Sequence, residues 1–444
     1  MNTALPEPLR YIDLFAGIGG IRMGFVEAAR AMEHPLAVSC AMTAEWDKHA
    51  RTTYAAFMKH LRETQTHPDG SSPYADAADH VDLSDINAAF EHTGVDYADE
   101  ALLQAGPTAV PSHDVLLAGF PCQPFSLAGV SKKNSLGRKH GFEDVRQGNL
   151  FFRIRNILRE RKPRLFILEN VKNLQSHDKG RTWKTIRQEL ENVGYVFTAK
   201  VIDAKVAVPQ HRERIFIVGV RRDAPEATGG FLAPTGSART FWDTVDKHLV
   251  PSQAPTFASV MEKDVGPEYC LTEHLVVYLH RYAEKHRAAG NGFGFSEVNA
   301  STKYTRTISA RYHKDGSEAL VALGARFERS VAHENSWPEG VPKFRRLTPL
   351  ECLRLQGFPR GLEQFYAPDS STAAPGRARR RNARQPVSDT QAYRQFGNSV
   401  AVPVVTAVAR ALFEFHGQFE RWARTQSIQL SLPNPSTATA QAGA

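Results

Sequence analysis

At 444 residues the chain exceeds what one hydrophobic core usually serves, so two domains are expected. With 42% hydrophobic and 23% charged residues it is not a disordered chain, and no apolar run approaches the roughly 20 residues that span a bilayer. The 55 Lys and Arg against 47 Asp and Glu leave a net charge of +8 and a pI near 9.3, a basic excess suited to a polyanionic partner. Cys40, Cys122, Cys270 and Cys352 are scattered with no Cys-x-x-Cys pair, which points away from a zinc site or a disulfide framework and toward a reducing cytoplasm. No cationic and apolar signal pattern opens the chain, so export is not expected.

Tyr11-Ile12-Asp13-Leu14-Phe15 reads as a buried strand that runs into the turn Ala16-Gly17-Ile18-Gly19-Gly20, with a helix through Ile21, Met23, Phe25 and Val26 behind it. A second strand, Ala37 to Thr43, ends at Glu45-Trp46, and Asp47 is placed to cap the helix that carries Ala50, Tyr54 and Phe57. Backbone at a glycine turn can approach a ligand closely, and an acid closing the second strand would hydrogen-bond a ribose hydroxyl. With Trp46 as a face for adenine, these residues suit an adenosine-containing cofactor. A structural turn beside a core tryptophan is the alternative. The third glycine of a dinucleotide fingerprint is missing after Gly17-Ile18-Gly19-Gly20, which disfavours a nicotinamide-dependent dehydrogenase. Asp82-Leu83 closes a third strand.

Asp114 to Ala118 forms the strand that delivers Gly119-Phe120-Pro121-Cys122-Gln123-Pro124-Phe125-Ser126. The flanking prolines fix φ on both sides of the thiol, as a nucleophile on a stiff loop requires, although residue type alone favours a buried structural cysteine. The loop from Gly129 to Gly148 carries Lys132, Lys133, Arg138, Lys139 and Arg146 among glycines, a composition suited to closing over an anion. After a helix through Leu150, Phe151, Ile154, Ile157 and Leu158, the strand Leu165 to Leu168 ends at Glu169-Asn170. Glu169 and Cys122 both follow strand ends, so they can face one crevice. A free thiol of pKa about 8.5 is only a few per cent thiolate at neutral pH, and Arg212 and Arg214 in Gln210-His211-Arg212-Glu213-Arg214 would help. Phosphate binding or surface ion pairing suits those arginines equally well. Protonating an ordinary glutamate at pH 7 costs about 3.7 kcal/mol, so an acid role for Glu169 calls for a closed, dry pocket.

From about Thr240 to Phe344 the strand and helix rhythm stops, and a second domain is expected there. Thr348-Pro349-Leu350-Glu351 reads as a capping box with proline at the first helical position, and Gly357 ends that helix. Ser370 to Arg384 reads as a flexible basic insertion, and a buried helix from Val400 to about Phe415 returns to the first domain. The expected division is a catalytic and cofactor-binding domain over 1–239, a target-recognition domain over 240–394, a return over 395–420, and a disordered tail over 432–444.

Taken together, the motifs from Asp13-Leu14-Phe15-Ala16-Gly17 to Gln395-Phe396-Gly397-Asn398-Ser399-Val400 resemble those of the DNA cytosine-5 methyltransferases, in that family's order, over about Tyr11 to Leu412. Between them come Pro121-Cys122-Gln123, Glu169-Asn170-Val171, Gln210 to Arg214, and Arg345 to Pro359. The wording at His113 to Phe142, Gly290-Asn291-Gly292-Phe293-Gly294, Ser309-Ala310-Arg311-Tyr312 and Val387 to Val400 is similar to Dcm-type enzymes that methylate within CCWGG, and CCGG and CCNGG enzymes share part of it.

The resemblance implies an α/β fold: a Rossmann-like S-adenosylmethionine-dependent methyltransferase domain with a second, smaller, irregular target-recognition domain. It implies that Cys122 adds to cytosine C6, that Glu169 contacts and protonates N3, and that Arg212 and Arg214 orient the base. S-adenosyl-L-methionine would lie among Phe15, Gly17, Gly19, Gly20, Glu45, Trp46, Asp82, Pro121, Asn398 and Val400. Because C6 is unreachable inside a duplex, the base must be flipped out of double-stranded DNA. Ser126, Lys132 and Lys133 would hold the DNA, and Arg306, Arg311 and Lys314 are the candidates for reading guanine in the major groove. The expected protein is a bacterial, cytoplasmic, DNA-associated monomer with no metal and no membrane attachment, with or without a cognate restriction endonuclease acting separately. A tRNA methyltransferase and a catalytically silent DNA-binding protein are the competing readings. The long segment from Thr240 to Phe344 argues against the first, and the filled catalytic positions argue against the second. The arginine-rich stretch between Pro359 and Val387 is longer than the family pattern needs and reads as a solvated loop, with nonspecific phosphate binding as the alternative.

Overall fold

A computed structural model describes residues 8–67, 70–90, 106–121, 150–224, 240–249, 256–291, 293–327, 340–368 and 382–431, with side chains up to 417. Its centre is a sheet of β1 (Leu9–Leu14), β2 (Val38–Ala44), β3 (Asp76–Leu83), β4 (Val115–Gly119), β5 (Leu165–Val171), β6 (Tyr195–Asp203) and β7 (Glu213–Arg221), in the order β3-β2-β1-β4-β5-β7-β6. Strands β1 to β5 run parallel, and β7 is antiparallel to both β5 and β6. Parallel neighbours need crossovers, which α1 (Gly20–Arg30), α2 (Lys48–Thr64) and α3 (Leu150–Arg161) supply, while α4 (Arg181–Asn192) carries the chain from β5 to the edge strand β6. The helices cover both faces of the sheet. All seven residues of β2 are buried, and alternate residues of β4 and β5 go to opposite cores: Leu117 and Ile167 on one side, Leu116, Phe166 and Leu168 on the other. With β2 and β4 on either side of β1, the connections diverge there and a crevice opens beyond the strand ends.

Past the expected boundary at residue 240, α5 (Phe241–His248) still packs on the large sheet. The Trp242 indole N–H donates to Thr198 Oγ1 at 2.7 Å, and the Phe241 ring lies 5.7 Å from that of Phe415. The segment beyond it is more regular than its sequence suggests. It holds α6 (Glu273–Ala288) and a small sheet of β8 (Glu297–Val298), β9 (Leu320–Arg326) and β10 (Pro342–Arg346), in the order β10-β9-β8. Val276, Val277 and Leu279 of α6 share a separate core with Leu320, Val341 and Phe344. At two residues, β8 gives no readable periodicity in the sequence.

The capping box forms at α7 (Pro349–Leu355): Thr348 Oγ1 accepts from the Glu351 N–H at 3.1 Å and Glu351 Oε2 from the Thr348 N–H at 2.8 Å. Glu351 is buried and also takes both Arg345 terminal nitrogens at 2.8 Å. Next come α8 (Asp389–Asn398) and α9 (Val402–Ser431), the latter running past the expected end near Phe415. The stretch Asp389–Gly417 is long and apolar enough to cross a bilayer by composition, contrary to the sequence expectation, but 72% of its apolar window is buried inside the protein, as befits a core helix. The loop Gly129 to Gly148, most of the basic insertion and the tail after 431 lie outside the described residues.

Candidate active site

Beyond the strand ends lies a cleft of about 660 Å³, with the glycine turn and the first residues of α2 on one side, β4 and β5 on the other, and α8 and the start of α9 closing it. Three residues of the turn have left-handed backbones, Phe15 at φ 56°, Gly17 at 55° and Gly19 at 87°. A phenylalanine there is strained, and the surrounding bonds hold it. The Ala16 N–H donates to the Ala44 carbonyl at 3.1 Å, and the Gly17 N–H donates to Glu45 Oε2 at 2.8 Å. Glu45 Oε1 accepts from the Asp47 N–H at 2.8 Å. Burial pushes the Glu45 carboxyl up, and these backbone donors hold it back. Asp47 caps α2 as predicted, accepting from His49 and Ala50.

Trp46 is 65% exposed in this cleft, which removes the core-tryptophan reading. Gly20 lies against the start of α9, where a Cβ would meet Ser399 Oγ at 3.0 Å and Val400 Cγ1 at 3.1 Å. Phe15, Gly17, Gly20, Glu45, Trp46, Pro121, Asn398 and Val400 all line the cleft. Gly19 does not: a Cβ there would lie 2.7 Å from Met58 Cε, so it packs the turn onto α2. Nor does Asp82, which is exposed within β3; Asp85, Ile86 and Asn87, just past the strand end, take that place. The crevice lies beyond the strands, so residues after Leu83 reach it.

Across the cleft, register sets the geometry. Gly119 of β4 pairs with Glu169 of β5, and a Cβ on Gly119 would lie 3.4 Å from Glu169 Oε2 and 3.1 Å from Ile21 Cδ1. The missing side chain therefore leaves space for the carboxyl. In the antiparallel β5–β7 pair, Glu169 is opposite Phe216 and Val171 opposite Arg214, so Arg214 is the diagonal neighbour of Glu169 on one face. Arg214 Nε lies 3.1 Å from Glu169 Oε1, both side chains being largely buried. Burial pushes the Glu169 carboxyl up, with Arg214 and then Arg212 opposing the rise. A carboxyl so placed can keep a proton that an exposed glutamate would lose.

Arg212 belongs elsewhere. It does not line the cleft; its fully buried guanidinium donates to the carbonyls of Ile308 at 3.1 Å, Gly397 at 2.9 Å and Ser399. The expectation that it orients a base with Arg214 is corrected: Arg212 joins the entry of β7 to the 308 segment and to the end of α8. Cys122, Ser126, Lys132 and Lys133 lie outside the described residues, and Pro121 is the last described residue before the thiol. Cys40 and Cys352 are buried, and burial pushes both thiols up. Cys270 is bridged to Arg345 of the small sheet. Arg306, Arg311 and Lys314 are exposed, on a segment tied to Gln210 and His211 through Thr305.

Sequence reasoning missed Gln391, Arg394 and Gln395, which line the cleft with Asn398. Their i, i+3, i+4, i+7 spacing on α8 was the available signal. Among the described residues one group could gather a metal ion, Cys40, Asp76 and His80, with ligand atoms within 4.8 Å. Arg22 and Arg62 already pair with the Asp76 carboxylate, and Thr43 holds His80 Nε2 at 3.1 Å, so a cation would have to displace cations.

The sheet order, its antiparallel β7 and the ligand cleft at the strand ends define a Rossmann-like methyltransferase fold. Two solved structures share that fold, a Spodoptera frugiperda DNMT2 mutant (TM-score 0.55, 17% identity, 91% of this chain and 99% of that one) and S. pombe Dnmt2 (0.55, 16%, 92% and 99%). The sequence profile of the C-5 cytosine-specific DNA methylases matches residues 9–80 and 88–414. The DNA-cytosine methyltransferase of Escherichia coli K12 is 43% identical over 93% of this chain and 80% of that protein. The Type II methyltransferases M.DsaV of Dactylococcopsis salina (37%, 96% and 91%) and M.HpaII of Haemophilus parainfluenzae (33%, 93% and 91%) are also similar. The chain belongs to the C-5 cytosine-specific DNA methylase family and is a DNA (cytosine-5-)-methyltransferase.

Proposed function

We propose that the enzyme methylates a flipped-out cytosine in a short palindromic duplex site, CCWGG-like in preference to CCGG or CCNGG, through a covalent Cys122 adduct. The observation that carries this is the Glu169 carboxyl, pushed up by burial, ion-paired to Arg214 and set beside Gly119, three residues before Cys122. S-adenosyl-L-methionine fits the opposite lobe, where Trp46 offers an exposed indole face and Glu45 and Asp85 offer carboxylate acceptors. Phe15, Gly17, Gly20, Pro121, Asn398 and Val400 would line its site, and when bound it supplies an electrophilic methyl group.

Glu169 holds a proton at N3 of the cytosine while Arg214 fixes the carboxyl. The Cys122 thiolate forms a bond to C6, and the electron pair released to C5 becomes the nucleophile for the methyl group. Loss of the C5 proton to water, cleavage of the Cys122 Sγ–C6 bond and return of the N3 proton to Glu169 restore the aromatic ring, the thiolate and the carboxylic acid. Ser126, Lys132 and Lys133 would hold the DNA backbone, with Arg306, Arg311 and Lys314 facing bases. The enzyme works as a monomer in the bacterial cytoplasm, and any cognate endonuclease acts separately.

Bisulfite sequencing of DNA from expressing cells tests this. Protected cytosines confined to one short site, and lost in Cys122→Ser, are expected. Complete conversion in cells containing the folded wild-type protein, or methyl transfer to tRNA and not to duplex DNA, would refute it.

A further inference from the structure

Four aromatic rings form a ladder on the small unit. Tyr278 and Tyr282 of α6 stack at 6.2 Å, Tyr282 meets His286 at 4.3 Å, and His286 meets Phe293 at 5.3 Å. Tyr278 is 58% exposed and Phe293 65%. Exposed rings gathered into one patch, unlike rings scattered singly, mark a contact surface, and the backbone on both sides of Phe293 is tied down. The Asn291 N–H donates to the His286 carbonyl at 3.0 Å, the Asn291 amide meets His286 Nδ1 at 2.7 Å, and Arg306 donates to the Gly294 carbonyl at 3.0 Å. Gly290 and Gly294 take backbones with φ 71° and 153° that let the chain turn on both sides of the ring.

The surroundings indicate what the ring meets. Between residues 281 and 314 the chain carries Arg281, Lys285, Arg287, Lys303, Arg306, Arg311 and Lys314, seven cations against the two carboxylates Glu284 and Glu297. A protein partner with an apolar patch would not call for that excess, whereas a polyanion does. The Arg306 that braces the loop follows Thr305, whose N–H and carbonyl bond to Pro209 and His211, the run leading into β7 and Arg214. The ring is thus joined by short, rigid steps to the strand that fixes Glu169.

We propose that Phe293 stacks against the bases of the bound duplex, with the Tyr278, Tyr282 and His286 rings as its buttress and Arg306 as its brace. This rests on the reading of duplex DNA as the substrate. In a duplex such a ring acts as a wedge at a base step that it partly unstacks, so Phe293 adds affinity and position more than sequence preference. Of the neighbouring cations, Arg281, Lys285, Arg287 and Lys303 would contact phosphates.

Fluorescence anisotropy of a labelled duplex carrying the site, with S-adenosylhomocysteine present, tests the proposal on the full chain. Phe293→Ala should weaken duplex binding by about tenfold, the scale of one base stacked on one ring, with S-adenosylhomocysteine affinity and Tm unchanged. Phe293→Trp should keep the binding, and the added indole emission should be quenched as DNA saturates the protein. Equal affinity for wild type and Phe293→Ala, or unquenched emission from Phe293→Trp at saturation, would overturn it. So would a variant that only loses self-association in sedimentation, which would make the ladder a contact between copies. A wild-type protein that holds no duplex would refute the substrate reading itself, an outcome distinct from these.

Discussion

Asn170 donates its side-chain N–H to the Phe120 carbonyl at 2.8 Å, and its Oδ1 accepts from the Val171 N–H at 2.8 Å. This buried amide clips the end of β5 to the backbone two residues before Cys122. It ties the backbone that leads to the proposed nucleophile to the strand that carries Glu169, since Glu169 and Asn170 are adjacent. Asn170→Ala should cost about 1–3 kcal/mol of stability by leaving the buried Phe120 carbonyl unpaired. Methyl transfer should fall further, on the order of 10²-fold, as a shift of about 1 Å in a reacting group can cause. Urea denaturation and single-turnover rates measured on one preparation separate the two effects. A variant with reduced stability and an undiminished rate at saturating substrates would show that the clip does not position the thiol.

Arg212 offers a contrast between an expected and an observed role. Burial lowers its guanidinium to about 9, Arg214 adds to that fall and Glu169 opposes it. Three backbone carbonyls, two at the end of α8, share the charge. Arg212→Lys should lower stability by about 3 kcal/mol, the scale of a lost hydrogen bond to a charged donor. It should also weaken S-adenosylhomocysteine binding, because Ser399 lines the cleft. Calorimetry gives both quantities. Unchanged stability with a large loss in kcat alone would return Arg212 to the base.

The parts of the site that were legible in the sequence are those fixed by strand ends. Glu45 and Glu169 each sit where an apolar run stops, and both line the cleft. The errors have the same origin at finer scale. Arg212 and Arg214 would share a face if both were in the strand, but β7 begins at Glu213, so Arg212 precedes the pleat and enters the junction with α8. Asp82 and Asp85 differ by three residues, within the usual uncertainty of a strand end, yet only Asp85 lies beyond it in the cleft. Arg394 and its neighbours were overlooked because a polar helical stripe reads as a solvated face until a cavity is seen against it.

Trp46 allows the proposed cofactor lobe to be tested apart from the fold. Its indole is mostly exposed, so Trp46→Ala should leave stability within about 0.5 kcal/mol of wild type. Affinity for S-adenosylhomocysteine should fall by about tenfold through the lost stacking face. Isothermal titration beside a thermal melt tests this. Wild-type affinity in a folded variant would place the adenine elsewhere in the cleft.

Asp13 gives the protein a pH dependence of known sign. Burial pushes its carboxyl from an ordinary 3.8 up to about 7, Arg22 and a hydrogen bond from Tyr54 pull it back, and Glu45 adds to the rise. Its Oδ1 has no hydrogen-bond partner among the described residues. The unfolded chain releases this proton near 3.8, so between about pH 4 and 7 the folded protein holds a proton that the unfolded chain has lost. Stability from this group therefore falls as pH rises through that window and is level above it. The full penalty is on the order of 4 kcal/mol at 1.36 kcal/mol per pH unit. Asp13→Asn cannot ionise, so its advantage over wild type should be absent near pH 4, grow through pH 6 and be complete by pH 8. Urea midpoints for both proteins across that range test the prediction, and parallel curves would mean that Asp13 does not titrate within it.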